Sequence, residues 1–364
     1  MRHYSVALIP GDGIGVDVIR EGKKVLDTLC ELDGGISIEY EHFDWSCEYY
    51  LKHGKMMPDN GLELLKDFDS IYLGAVGYPG VPDHVSLWGL LLPIRRQFQQ
   101  YINIRPVKLL RGIKSPLANR GTDDLDFIVV RENNEGEYSS IGGRMYEGTN
   151  MDMAIQNSVF TRYGTERVLK YAFDLANRQG KRKLLTAATK SNGINHTMPF
   201  WDEYVQKINK EFPEVKTDIV HIDALCAFFV SKPDAFDVVV ASNLFGDILT
   251  DLGAAIVGGM GIAPSANINP EKTFPSMFEP VHGSAPDIAG KGLANPTAAM
   301  WTASMMLDHF GEHRLSSALM DSLQDILEEG QFVTLDLGGK ATTEEFGDQV
   351  CRKLKMKNIL QNTK

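Results

Sequence analysis

In the stretch NLFGDILTDLGAA, residues 243–255, Asp247 and Asp251 stand four residues apart in an otherwise apolar helical pattern. At 100° per residue, Phe245, Ile248, Leu249, Leu252 and Ile256 form one apolar stripe, with Asn243, Asp247 and Asp251 nearly opposite. Like charges at this spacing disfavour an isolated helix slightly. Either this face is solvated, or the two carboxylates hold a divalent cation, because hard cations such as Mg²⁺ take oxygen ligands. Asp223, in HIDALCAFFV, falls where a strand passes into a helix. It suits a helix N-cap, or a third carboxylate for the same cation.

Arginines gather near residue 100. PIRRQFQQYINIRP carries Arg95, Arg96 and Arg105, and Arg131 follows in VVREN at the expected end of a strand. A guanidinium grips a carboxylate through paired N–H donors. Arg95, Arg105 and Arg131 therefore make an anion clamp suited to a dicarboxylate if they converge; singly, each is equally a surface ion-pair partner. Lys190 ends KLLTAATK, followed by Ser191 and Asn192. Strand ends are where α/β proteins bind ligands, and a lysine desolvated beside other cations can act as a general base. Tyr138, in EGEYSS, is a proton donor or a packed aromatic.

Such residues need a scaffold that brings strand ends together. YSVALI at 4–9 reads as a strand, followed by a Gly-rich turn and an amphipathic helix over 16–29. ISIEYEHF alternates as a strand, and SIYLGAV at 70–76 is a short buried run. This rhythm implies a largely parallel sheet with helices on its faces. WGLLLPIRRQFQQ reads as a helix that Pro93 kinks or delays. FIVVRE, MDMAIQNSVFTR, KLLTAATK and FDVVVASN read as strands, and YGTERVLKYAFDLANRQ as a helix. Beyond Gly258 come loops, then helices around 295–309 and 315–329. We expect these helices to pack back on the N-terminal sheet, giving a discontinuous domain (1–104 plus 258–364) around an inserted one (105–257). IPGDGIG fails the Rossmann fingerprint, because Val16 stands where the third glycine belongs. EPVHGSAPDIAGKGLANP, 279–296, is long and irregular, and its hydrogen-bonding residues favour a ligand loop.

The bulk properties set bounds. At 364 residues and 43% hydrophobic, the chain has ample core for two domains or one large α/β unit. A net charge of −11 argues against nucleic-acid or anionic-membrane partners. Cys30, Cys47, Cys226 and Cys351 are scattered without a C-x-x-C, as free thiols in a reducing cytoplasm would be. Neither a signal peptide nor an apolar run of about 18 residues is evident.

LIPGDGIG, NLFGDILTDL and EPVHGSAPDIAGKGLANPTAA, in this order, resemble the β-decarboxylating dehydrogenases, the family of isopropylmalate and isocitrate dehydrogenases. The resemblance covers nearly the whole chain. It implies an α/β, two-domain, non-Rossmann fold with mixed sheets flanked by helices. The larger domain binds cofactor, the smaller carries the dimer interface, and a homodimer shares its active sites between subunits. By motif, Arg95, Arg105 and Arg131 resemble the carboxylate clamp, Tyr138 the tyrosine that protonates the enol, and Lys190 the general base. Asp247 and Asp251 resemble ligands for Mg²⁺ or Mn²⁺, with Asp223 and Lys190 coming from the second subunit. Asn192 resembles a residue near the nicotinamide ribose. Glu279, His282, Gly283, Ser284, Ala285, Asp287 and Asn295 lie in what resembles the cofactor loop. A carboxylate at Asp287 would accept ribose hydroxyls and repel a 2′-phosphate, which implies NAD. A need for K⁺ is left open.

In this family the residues before Arg95 set the substrate. Here VSLWGLLLPIRR places Trp88 where isopropylmalate enzymes carry glutamate, with Leu91 and Leu92 following. A tryptophan would fill the isopropyl slot, leaving a bare C4 2-hydroxy dicarboxylate. The run is similar to the tartrate and D-malate dehydrogenase branch. The resemblance thus implies NAD-dependent oxidative decarboxylation of D-malate to pyruvate and CO₂, with activity on tartrate. The alternatives are 3-isopropylmalate oxidation, or a non-catalytic regulatory subunit on the same fold, which would normally lose a metal aspartate, the lysine or the tyrosine.

Overall fold

A computed structural model of the chain describes residues 1–357, which form two compact units. The first comprises Met1–Gln100, Lys108–Thr122 and the chain from Ala254 onward; the second comprises Tyr101–Val107 and Asp123–Gly253. Residues 358–364 of the expected large domain lie outside the described residues.

The first unit opens with β1 (Arg2–Gly11), β2 (Ile36–His42) and β3 (Ser70–Ala75), and β1 pairs in parallel with the other two. The SIYLGA run is buried along its whole length, as a strand covered on both faces must be. The helix Ile14–Asp33 is longer at both ends than the periodicity predicts, and it stops at Gly34 in the left-handed conformation. Gly13, at φ +57°, precedes it; a Cβ there would stand 2.0 Å from the Ser284 carbonyl oxygen. The glycine-rich turn therefore serves a close backbone approach.

Pro93 stands in the first turn of an α-helix that begins only at Leu92. The α-helix Asp83–Ser86 passes through a π-helical turn, Leu87–Leu91, into the α-helix Leu92–Gln97. Proline would clash with the carbonyl four residues back in a regular helix. The wider π turn, in which Leu92 N–H donates to the Leu87 carbonyl, absorbs the mismatch.

The second unit contains β4 (Ile102–Lys108), β5 (Asp126–Glu132), β6 (Gly142–Met145), β7 (Met153–Gln156), β8 (Leu184–Thr189), β9 (Lys216–His221) and β10 (Val238–Ala241). Its sheet runs β4-β5-β10-β8-β9, parallel from β5 through β9. The VVVA core of β10 is buried throughout. β6 and β7 form a separate antiparallel hairpin with exposed side chains. The strand expected over MDMAIQNSVFTR ends at Gln156, because Thr161 caps the helix Arg162–Arg178. At the C-terminal ends of β5 and β8 stand Arg131 and, one residue beyond Thr189, Lys190.

Back in the first unit, β11 (Pro264–Ile268) and β12 (Ser276–Pro280) form an antiparallel hairpin, and β12 lies parallel to β3. This makes the sheet mixed. The helices Thr297–Phe310 and His313–Glu329 return to this unit, and Tyr72 of β3 donates a 2.7 Å hydrogen bond to the Ala299 carbonyl. A further helix, Thr343–Met356, adds to the elements expected from sequence; its signals are the capping box formed by Thr342 and Glu345 and the apolar period Phe346, Val350, Leu354. No described helix is long and apolar enough to cross a membrane.

Candidate active site

In the second unit, Asp247 on the helix Asn243–Ile256 is the centre of a charged cluster. Its Oδ1 accepts from Arg105 Nη1 at 3.2 Å and from Arg131 Nη1, and its Oδ2 accepts from the Tyr138 hydroxyl at 2.6 Å. Arg105 also donates to Asn103 (2.9 Å) and Thr250 (2.7 Å), and Asp251 Oδ1 lies 3.9 Å from its Nη1. The Arg131 guanidinium sits 5.5 Å from the centre of the Tyr138 ring. Burial and the Asp247 carboxylate push the Tyr138 phenol up to about 12, so it remains a neutral donor. The Asp251 carboxyl is raised by burial and by the charge of Asp247. That mutual repulsion is what a bound dication would relieve, and the all-oxygen donor set suits a hard metal such as Mg²⁺ or Mn²⁺.

Lys190 and Asp223 stand together elsewhere in this unit, 2.9 Å apart. Asp223 is exposed, and its carboxyl is held below the ordinary range by Lys190 and by backbone N–H groups. His221, not Asp223, occupies the N-cap of the helix Ile222–Ser231; Asp223 lies in its first turn. Among the described residues, no three acidic, His or Cys side chains gather into a metal-holding set. One chain thus offers Asp247 with Asp251 in one place and Asp223 with Lys190 in another. Asn192 is exposed two residues beyond Lys190.

The helical wheel misassigns two positions. Asn243, set on a polar face expected to be either solvated or cation-holding, is 2% exposed, while Ile248, expected in the apolar stripe, is 49% exposed. Asn243 is buried because the polar face of this helix meets other polar groups. Its Oδ1 accepts from Arg131 Nη2 at 2.7 Å, and its Nδ2 donates to Glu132 Oε2 at 3.3 Å. Glu132 and Glu137 are further members that motif reading misses. Glu137 accepts from the Ser242 hydroxyl (2.8 Å) and Leu244 N–H (3.0 Å), placing a carboxylate at the helix N-terminus. The only signal for them was their place in RENNEGEYSS, between Arg131 and Tyr138.

In the first unit, Arg95 is buried and pairs at 2.6 Å with Glu279, which also accepts from Asn267 at 2.7 Å. The Glu279 carboxylate, expected at the cofactor, is thus engaged by Arg95. Trp88 lies on the π turn, 38% exposed, with Arg96 4.9 Å from its ring centre. Leu91 is partly exposed and Leu92 buried. The 279–295 loop is tied to the first turn of the helix Ile14–Asp33. Ile14 N–H donates to the Ser284 carbonyl at 2.8 Å, and Gly290 N–H to Asp17 at 2.9 Å. Asn295 receives Thr297 N–H at 3.0 Å and donates to Asp336 at 2.9 Å. Ala285 holds φ +38°, a conformation costly for a residue with a Cβ and often found at ligand clamps. His282 is buried; its Nδ1 meets the Gly283 carbonyl at 3.0 Å, and its Nε2 has no hydrogen-bond partner among the described residues. An orphaned buried acceptor on a tethered loop fits a dinucleotide that brings its own donors. Gly283 and Asp287 are exposed on the same loop.

Residues 5–350 match the family described as isocitrate/isopropylmalate dehydrogenase. The chain belongs to this family. Among its dehydrogenase relatives, a probable tartrate dehydrogenase/decarboxylase of Bacillus subtilis is 54% identical over 98% of this chain and 99% of its own. The D-malate dehydrogenase (decarboxylating) of Escherichia coli is also 54% identical, over 97% and 99%. The crystal structure of isocitrate dehydrogenase from Methylococcus capsulatus superposes with a TM-score of 0.87 at 32% identity, covering 97% of this chain and 99% of that one. The α/β architecture of this dehydrogenase is therefore that of isocitrate dehydrogenase.

Proposed function

We propose that this dehydrogenase oxidises D-malate with NAD⁺, releasing pyruvate and CO₂, and that it accepts tartrate as a second substrate. The observation that carries the reading is the Asp247 cluster: two guanidinium groups and a neutral phenol converge on one carboxylate beside a second. Such a site can bind an anionic hydroxy acid, hold a metal and deliver a proton. The names of its tartrate and D-malate relatives support the substrate class. Trp88 supports a slot closed to a branched substituent.

Arg95, Arg105 and Arg131 bind the substrate carboxylates. Asp247 and Asp251 of one subunit, with Asp223 of a second copy, hold Mg²⁺ or Mn²⁺. Bound there, the metal supplies charge stabilisation at the oxidised oxygen, and NAD⁺ on the 279–295 loop supplies the hydride acceptor. Lys190, from the second copy, takes the proton of the C2 hydroxyl. Tyr138 returns a proton to carbon after CO₂ has left. Asn192 lies near the nicotinamide ribose; Glu279, His282, Gly283, Ser284, Ala285 and Asn295 shape the cofactor loop. Asp287 accepts ribose hydroxyls and disfavours NADP. The exposed apolar side chains Ile248, Val230, Met145 and Ile155 of the second unit support a homodimer interface.

NADH formation with Mn²⁺ and NAD⁺ is to be compared for D-malate, L-tartrate and 3-isopropylmalate. Turnover of D-malate with no reaction of isopropylmalate is expected. Preference for isopropylmalate would keep the family and overturn the account of Trp88.

A further inference from the structure

The end of β5 carries an arrangement that substrate binding by Arg131 does not by itself explain. Glu132 is buried at 2% exposure, and its carboxylate accepts Asn134 N–H (2.8 Å) and Glu135 N–H (3.1 and 3.0 Å). Its Oε2 also accepts from the Asn243 amide at 3.3 Å, and the second hydrogen of that amide meets the Glu135 carbonyl at 3.1 Å. With two acceptors facing Nδ2, the amide has one satisfied orientation. Its Oδ1 then points at Arg131, taking Nε at 3.3 Å and Nη2 at 2.7 Å. Flipping the amide would set its nitrogen against the Arg131 donors and its oxygen against the Glu132 and Glu135 acceptors. Helix and strand are close enough here that a Cβ on Gly246 would lie 2.6 Å from Arg131 Cγ, so the arginine has little room to re-aim.

We propose that Asn243, anchored by Glu132, is a positioning residue that fixes the Arg131 guanidinium for the substrate carboxylate. The choice of a neutral carbonyl matters. Asp247 already sets one carboxylate against Arg131 Nη1; a second at this place would oppose an anionic substrate further, whereas an amide oxygen orients the guanidinium without adding negative charge. Glu132 acts one step back, on the orientation of Asn243. Its simpler role, closing the turn after β5, requires the two backbone hydrogen bonds but not the one to Asn243.

The inference rests on Arg131 being a substrate ligand, and its test separates the two claims. The variants are Asn243→Ala, Glu132→Gln and the double mutant. In Glu132→Gln, the side-chain oxygen still closes the turn, but the amide nitrogen now faces Asn243 and favours its flip. Each single variant is expected to raise KM for D-malate roughly tenfold to a hundredfold, the range for losing a hydrogen bond to a charged group. The KM for NAD⁺ should stay within about twofold, and the double mutant should be no worse than the more severe single one. Multiplicative effects, or an unchanged KM for D-malate, overturn the proposal. A second readout needs no turnover. In protein carrying ¹⁵N-arginine, with Arg131 assigned through Arg131→Lys, rotation about its Nε–Cζ bond should be slow in the parent and measurably faster in both single variants, which keep the Asp247 ion pair at Nη1. Unchanged rotation overturns the proposal even if D-malate proves not to be a substrate, a result that would instead count against the proposed function. Should Asn243→Ala fail to fold, Glu132→Gln carries both measurements.

Discussion

Asp247 collects three donors, while the lysine assigned as base sits apart from it with Asp223 as partner. The two acidic sets therefore have different surroundings within one chain. Arg105, Arg131 and Tyr138 fix Asp247, whereas Asp223 and Lys190 form a more exposed pair suited to meeting another surface. Lys190→Met is expected to lower kcat by about 10²–10⁴-fold, the usual contribution of general acid–base catalysis. Its melting temperature should barely move, since exposed ion pairs contribute little to stability. Unchanged kcat would remove Lys190 from the proposed chemistry. Asp247, Asp251, Arg105, Arg131 and Tyr138 were all legible as chemistry-bearing residues, and four of the five were found around one carboxylate. Asn243 was not, because a helical wheel equates a polar face with solvent. Here the face is polar and buried, a combination that needs the partner strand to be seen.

At the scale of elements, the glycine turn after β1 and the 279–295 loop act as one unit. Two backbone and side-chain hydrogen bonds fasten the loop to the helix Ile14–Asp33, and Gly13 permits the contact. Gly13→Ala combines a positive φ with a 2.0 Å approach to Ser284. We expect a loss of about 2–3 kcal/mol in unfolding free energy, read by denaturant titration, with weaker NAD⁺ binding. Retained stability and affinity would show that the loop does not depend on this turn. The strand–helix alternation was readable from periodicity because buried strands and amphipathic helices differ in repeat. The π turn under Trp88 was not, since an extra residue in a helical turn leaves no period to count. The C-terminal helix Thr343–Met356 was announced by its capping box and by Phe346, Val350 and Leu354 at helical spacing.

For the molecule as a whole, the mixed sheet of the first unit follows from where β11 and β12 re-enter, a return that local patterns hint at only weakly. One consequence of that return is His309, near the end of the helix Thr297–Phe310 and 5.5 Å from the Phe278 ring. Burial, with the nearby charge of Lys272, lowers its pKa from 6.5 to about 4. The unfolded chain then binds this proton before the native one does. The stability His309 confers by staying neutral is complete above about pH 6.5 and is lost as pH falls towards 4, at most on the order of 3 kcal/mol. His309→Gln should flatten the pH dependence of unfolding free energy across that window; an unchanged slope would show that other groups govern it. The central claim, that oxidation and loss of CO₂ occur in one site, is tested most directly by product stoichiometry. NADH and pyruvate would be measured together during D-malate turnover with Mn²⁺, before and after chelation with EDTA. Equal amounts of the two products, both abolished by EDTA and restored by Mn²⁺, are the predicted result. NADH formed without pyruvate, or undiminished by chelation, would contradict the account.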